Sequence, residues 1–335
     1  MKPGASEENI QHVVDLVHEY GLKDHVIRGT DRTVVACIGD KRAVDKGAIE
    51  SAPMVEQVVA ILAPYKMASR EVKETVTQVA IGPRNFPMGG AKVGIIAGPC
   101  AVESRDQLLR TAEACAQAGA IGIRGGAYKP RTSPYSFQGM REEGLRILEE
   151  ARAATGLAIV SEAIGVEELA AVSQACDVVQ IGARNMQHYP LLEAAGRQSK
   201  PVLLKRGPSA LLTEWLLAAE YIINAGNPNI IMCERGIRTF EDYVRNTLPL
   251  AVVPELRRRT HLPILVDPSH GTGHAHLVAA MCQASVACGA DGLILEVHLD
   301  PEHAMSDGAQ SITPTALAEI MPMLQNIARA IGRDM

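Results

Sequence analysis

From Val93 to the C-terminus, short β-branched or apolar runs alternate with polar loops and amphipathic stretches. The runs are VGIIAGPC at 93, IGIRGGAY at 121, LAIVSEA at 157, DVVQIGA at 177, KPVLLKRG at 200, NIIMCERG at 229, PILVDPSH at 263 and GLILEVH at 292. They recur about every 28 residues, which suits a strand, a loop and a helix but is too long for hairpins. Between them, RDQLLRTAEACAQAG (105–119) and LLTEWLLAAEYIINAG (211–226) space apolar residues by three and four and stop at glycine, as helices do. A stretch of the same kind over 313–332 follows the last run. Eight successive βα units predict an α/β fold closed into a parallel (β/α)8 TIM barrel over 93–335. The rival, an open doubly wound sheet, usually has fewer units and a GxGxxG turn after its first strand, and the sequence lacks that turn.

The first 64 residues read differently. NIQHVVDLVHEYG predicts a helix over 9–21, HVIRG and RTVVACIG a pair of strands, KRAVDKGAIES a second helix and VEQVVAIL a third strand. Together they make most of a small two-layer α/β domain over 1–64. Residues 65–92 read as a polar linker followed by a hairpin at PRNFPMGG.

Charge and composition narrow the partners. The chain has 335 residues, is 47% apolar and carries a formal charge of -5, with no basic stripe of the kind that binds nucleic acid or an anionic membrane. No apolar run is long enough to span a bilayer, and Glu7, Glu8 and Asp15 stand where a secretory signal would be basic and then apolar, so a cytoplasmic location is expected. Seven cysteines occur without a CxxC pair, which fits buried free thiols better than a disulfide framework.

Chemistry gathers where the predicted strands end, the face on which such barrels build their active sites. Arg124, Lys129, Arg184, Lys205 and Arg235 make a cationic mouth suited to a ligand with several negative charges, or to two phosphorylated ligands at once. A lysine at a strand end could instead form a Schiff base, which would make Lys205 the nucleophile of a metal-independent aldolase. Closure of the barrel would place strand 8 between strands 7 and 1, so Cys100, His270, Glu296 and the later Asp307 can converge. A thiolate, an imidazole and two carboxylates suit one divalent metal ion, Mn, Fe, Co or Zn. By strand alternation His298 shares the inward face with Glu296 and could replace it. The loop RGGAYKPRTSPYSFQG (124–139) adds three cations and three hydroxyls on a segment punctuated by proline and glycine.

The motifs AGPCAVES, RGGAYKPRTSPYSFQG, QIGARN, LLKRG, CERGIRTFE, DPSHGTG and EVH...SDGAQS, in that order, resemble the 3-deoxy-D-arabino-heptulosonate 7-phosphate (DAHP) synthases, specifically the type I beta group with an N-terminal ferredoxin-like domain. The resemblance implies a metal-dependent condensation of phosphoenolpyruvate with erythrose 4-phosphate and water, the first step of aromatic amino-acid biosynthesis. It implies Cys100, His270, Glu296 and Asp307 as metal ligands. Arg184 and Arg235, with the backbone of Gly182 and Ala183, would hold the phosphate of phosphoenolpyruvate, and Arg124, Lys129 and Lys205 would surround its carboxylate. Glu162 would position water. Lys129, Pro130, Arg131, Thr132 and Ser133 would form the erythrose 4-phosphate site, and Lys129, Cys100, His270 and Glu162 would be the catalytic set. A homotetramer and a tyrosine or phenylalanine effector on the N-terminal domain are further implications. Relatives usually begin with a strand before a segment like KPGASEENI; here Met1 stands directly before it, so that domain is expected to lack most of its first strand. The sister enzyme making 3-deoxy-D-manno-octulosonate 8-phosphate from arabinose 5-phosphate is the alternative, though it normally has an Asn-containing loop where KPRTS stands.

Overall fold

A computed structural model describes residues 1–29, 32–39, 44–59, 64–130 and 133–335. It divides into two compact units, Met1–Thr75 and Val76–Met335.

In the first unit, helix α1 (Glu7–Glu19) starts at Ser6, whose hydroxyl accepts from Asn9 N–H while the Asn9 side chain caps Ser6 in return. Its buried Val13 and Val17 pack with Leu22, Ile49, Ala52 and Val55. Strands β1 (Lys23–Arg28) and β2 (Thr33–Ile38) pair antiparallel, as the alternation predicts. Two expectations need correction. The second helix, α2, spans only Lys46–Glu50, because the Asp45 carboxylate accepts from Gly47 and Ala48 N–H and fixes the start there; residues 41–43 lie outside the described residues. The third strand does not form over 55–59. Val55 N–H donates to Ala52 O and Val58 N–H to the Glu50 carboxylate, so α2 and its turn take donors that a ladder would need. Residues 60–62 of that run lie outside the described residues.

The second unit opens with a hairpin of β3 (Val79–Ile81) and β4 (Phe86–Met88), the chain turning at 82–85 rather than beyond it. Eight parallel strands follow: β5 (Gly94–Gly98), β6 (Gly122–Arg124), β7 (Ala158–Ala163), β8 (Val178–Ile181), β9 (Val202–Lys205), β10 (Ile230–Glu234), β11 (Ile264–Val266) and β12 (Gly292–Glu296). Each hydrogen-bonds its neighbours in chain order, and β12 pairs with β5 from Gly292↔Gly94 to Glu296↔Gly98. That pairing closes the barrel and rules out the open sheet.

Connecting helices are α3 (Arg105–Gln117), α4 (Glu142–Thr155), α5 (Val166–Ala175), α6 (Tyr189–Gly196), α7 (Leu212–Asn224), α8 (Val252–Arg259), α9 (Pro268–Thr272), α10 (Ala275–Ala287) and α11 (Pro314–Ala330). The run over 211–226 becomes α7, with Trp215 fully buried and its indole N–H donating to Leu204 O. All seven cysteines are free thiols, and no described helix is long and apolar enough to cross a membrane.

Inside the barrel, Ile96, Val160, Val178, Leu203, Ile231, Leu265 and Ile294 form one apolar cluster with Val79, Ile81 and Met88 of the hairpin. The hairpin therefore seals the N-terminal end of the barrel. A Cβ on Gly94 would come within 2.9 Å of both Met88 Cε and Phe86 Cε1, so glycine at that strand start is what lets the seal sit close.

At the same end a buried Asp291 holds α8 and the segment after α11 to the strands. Its Oδ1 accepts from Arg257 at 2.6 Å and Arg333 at 3.1 Å, and its Oδ2 accepts from Ile264 N–H at 2.8 Å. Removing one partner of a buried ion pair leaves the rest uncompensated, so Asp291→Ala is expected to cost about 3–5 kcal/mol. Urea denaturation followed by Trp215 fluorescence checks this.

Candidate active site

The opposite end collects the charged groups, because each strand delivers its last residues there. Cys100 follows β5 and is buried. Its thiol donates to Asp307 Oδ2 at 3.1 Å and lies 3.1 Å from Ser306 Oγ. Lys129 Nζ donates to Cys100 O at 2.9 Å and reaches Sγ at 3.0 Å. Arg124 Nη1 donates to Glu296 Oε1 at 2.6 Å, a pair in which both side chains are almost wholly buried.

One ligand atom each from Cys100, Glu296 and Asp307 lie within 4.8 Å of one another, a group able to hold a metal ion. His270 borders this group without completing it. Its Nε2 is 3.5 Å from Glu296 Oε1, while Nδ1 lies 2.8 Å from Asp267 Oδ2, off the line of a good hydrogen bond. Asp267 caps α9 by accepting from His270 N–H and also takes the Lys205 ammonium, so it draws the imidazole toward β11.

The electrostatics suit ligand groups. Burial, reinforced by Glu296, pushes the Cys100 thiol up to about 11, with Lys129 and Arg124 pulling the other way. For Asp307, burial opposes ionisation, but Arg245 and His270 outweigh it and bring the carboxyl down to about 2. Glu296 is likewise lowered, burial being overcome by His270 and Arg124. Burial pushes His270 down despite Asp267 and Glu296, which raise it.

The cations divide into two sets. Arg124, Lys129 and Lys205 are buried and already engaged, by Glu296, Cys100 and Asp267 respectively. Lys205 is thus no free amine of the kind a Schiff base needs. Arg235 is also buried, but no hydrogen bond or ion pair to it is found among the described residues, and burial lowers its pKa despite the nearby Asp267. Arg184, in the single turn Ala183–Asn185 after β8, is exposed and likewise unpartnered among the described residues. Glu162 ends β7 half-buried, with Gln180 Nε2 donating to its Oε2 at 2.8 Å. A Cβ on Gly182 would stand 2.0 Å from Glu162 Oε1, so a larger residue there would displace that carboxylate.

One expectation changes here. His298 does not share the metal-capable group. Its Nε2 lies 3.2 Å from Glu103 Oε2 and its Nδ1 accepts from Asp300 N–H, because the chain leaves strand geometry after Glu296 and the alternation ends. Arg131 and Thr132 lie outside the described residues; their neighbours Pro130 and Ser133 are half-buried and exposed. Residues not anticipated from the sequence also enter. Arg206 donates to the buried Glu234 at 2.8 Å, Ser306 meets the thiol, and Gln310 donates to Glu296 Oε2 at 2.7 Å. The KRG and SDGAQS motifs contained all three, Arg206, Ser306 and Gln310; a further unanticipated residue, Arg245 near Asp307, sits in a loop that gave no signal.

Fold and site together define a (β/α)8-barrel enzyme whose mouth pairs a metal-capable Cys/Glu/Asp group with buried cations. The sequence matches the DAHP synthetase I family over residues 72–333 and the DAHP synthase ferredoxin-like domain over residues 1–63. It is 49% identical over 332 residues to the phospho-2-dehydro-3-deoxyheptonate aldolase of Thermotoga maritima, covering 99% of this chain and 98% of that protein. The crystal structure of the Thermotoga maritima DAHP synthase superposes with a TM-score of 0.80 at 48% identity, covering 99% and 97% of the two chains. A 2-dehydro-3-deoxyphosphooctonate aldolase of Acidithiobacillus ferrooxidans is 31% identical over 256 residues, covering 71% of this chain and 90% of that protein. The chain belongs to the DAHP synthetase I family, a family of transferases, and carries that family's N-terminal ferredoxin-like domain.

Proposed function

We propose that the chain condenses phosphoenolpyruvate with D-erythrose 4-phosphate and water to give DAHP and inorganic phosphate. The observation that carries this reading is the buried, unpartnered Arg235 on the same barrel mouth as the Cys100, Glu296 and Asp307 group. A largely buried guanidinium bonded to no carboxylate is suited to an anion that enters from the mouth. Arg184, Arg235 and the backbone of Gly182 and Ala183 take the phosphate of phosphoenolpyruvate; Arg124, Lys129 and Lys205 face its carboxylate. Lys129 to Ser133 take erythrose 4-phosphate, so that the two anions are neutralised and aligned by one cationic surface.

The donor set fits a divalent ion, since a thiol, two ionised carboxylates and a neutral imidazole meet within a few bonds' reach. Cys100, His270, Glu296 and Asp307 hold it, and when bound it supplies Lewis-acid polarisation of the aldehyde. C3 of phosphoenolpyruvate then attacks the aldehyde carbon, and water held by Glu162 adds at C2. The hemiketal phosphate so formed loses phosphate by C–O cleavage. Lys129, between Cys100 and the substrate loop, keeps the carboxylate beside the reacting carbon.

Phosphate release should require both substrates and a divalent ion, and should stop on chelation. Arabinose 5-phosphate in place of erythrose 4-phosphate should give less than a tenth of the rate; equal or faster turnover would reassign the chain to the octulosonate reaction. As extensions of the same reading, we assign tyrosine or phenylalanine as effector of the N-terminal unit and a homotetramer as the assembly. Rate titrations with both amino acids and light scattering test these.

A further inference from the structure

Arg245 and Gln310 connect the two carboxylates of the metal-capable group. Arg245 lies in the segment between β10 and α8, which is tied to α9: Arg245 N–H donates to Thr272 O at 2.9 Å and Asn246 N–H to Gly271 O at 3.1 Å. The Asn246 amide also donates to His270 O at 2.8 Å. From this anchored base, Arg245 Nη1 donates to Asp307 Oδ1 at 3.2 Å and to Gln310 Oε1 at 2.7 Å. Gln310 is buried, and its Nε2 donates onward to Glu296 Oε2 at 2.7 Å. The amide can be turned only one way, because a guanidinium has no acceptor and a carboxylate no donor.

The result is the same at both acids. One oxygen is tied by the Arg245–Gln310 link and the other is turned inward. Asp307 Oδ2 lies 3.1 Å from Cys100 Sγ, and Glu296 Oε1 lies 3.5 Å from His270 Nε2 while also accepting from Arg124 Nη1 at 2.6 Å. Asp307 is further constrained by its backbone, a non-glycine residue at φ 55° leading directly into the turn Gly308–Gln310.

We infer that Arg245 and Gln310 are positioning residues that select which oxygen of Asp307 and of Glu296 is offered to the metal. The inference rests on the metal reading above. Each residue holds one carboxylate directly, Arg245 holding Asp307 and Gln310 holding Glu296, and supports the other through the bond between them.

The test is Co(II) titration of the metal-stripped full chain against a competing chelator, with the thiolate-to-cobalt absorption band as a report on Cys100. Arg245→Met and Gln310→Met are each expected to weaken Co(II) binding by about 10–100-fold, the usual cost of losing a group that orients a ligand. The double variant should be weaker than either single one but by less than the product of the two effects, since partners in contact are not additive. Arg245→Lys, which keeps the charge but not the fork, should recover part of the affinity. The shape of the band should change in the two Met variants, which a purely structural role would not produce if their melting in excess chelator matches the parent. Parental affinity and band in both Met variants would overturn the inference alone. A parent chain that takes up no Co(II) would overturn the metal reading and the inference together.

Discussion

Replacing Cys100 by serine is expected to leave a folded chain that turns over at least about 10³-fold more slowly, the loss of a Lewis acid being worth several kcal/mol at the transition state. The side chain is buried among Lys129, Ser306 and Asp307, and serine keeps a hydrogen bond to each while giving up the soft donor. Circular dichroism and melting should match the parent in excess chelator; the difference appears in metal content after gel filtration and in phosphate release. A pH signature accompanies it. With its thiol pushed up to about 11, Cys100 carries its proton at neutral pH, and an ion must displace that proton to bind. Metal uptake by the parent should therefore release a proton, and apparent affinity should rise as pH rises from 7 to 9, about tenfold per unit for one proton. In Cys100→Ser that thiol proton is gone, and the slope should flatten. Undiminished turnover in the serine variant would remove the metal from the reaction.

Arg235→Leu should separate activity from stability. Loss of a buried cation from an anion site is expected to lower kcat/KM for phosphoenolpyruvate by about 10²–10³-fold, in line with truncating one partner of a buried charge pair. The same change removes an uncompensated charge from the unliganded chain. Burial lowers the pKa of this guanidinium, and no carboxylate is bonded to it among the described residues. The urea midpoint of the free protein should therefore rise rather than fall, and the stabilisation that phosphoenolpyruvate confers on the parent should shrink in the variant. A variant that loses stability along with activity would show that Arg235 supports the fold instead of a ligand.

The barrel was legible in the sequence because the strands are buried on both faces and so write short runs rich in apolar residues, while several helices write a three-and-four spacing that ends at glycine. VGIIAGPC and GLILEVH lie about 200 residues apart, and only the count of units implies that they touch, as β12 and β5 do. The small unit was less legible. VEQVV has strand composition, yet its donors go to Ala52 and Glu50, which no local pattern announces. At the site, residues carried by strand ends were readable because topology places them: Cys100, Arg124, Glu296. His298 was misplaced because alternation was extended past the end of β12. Arg245 was invisible, since a loop arginine has no periodicity and its partners lie in a different loop.

The sealing of the barrel by Val79, Ile81 and Met88 has a kinetic consequence. A vessel stoppered at its base has one door. On the proposed function, the reactant lodged deeper would have to enter before the one that lies nearer the mouth. For the condensation proposed above, traffic through that single door would by itself set an order on arrivals that no separate gate is needed to enforce.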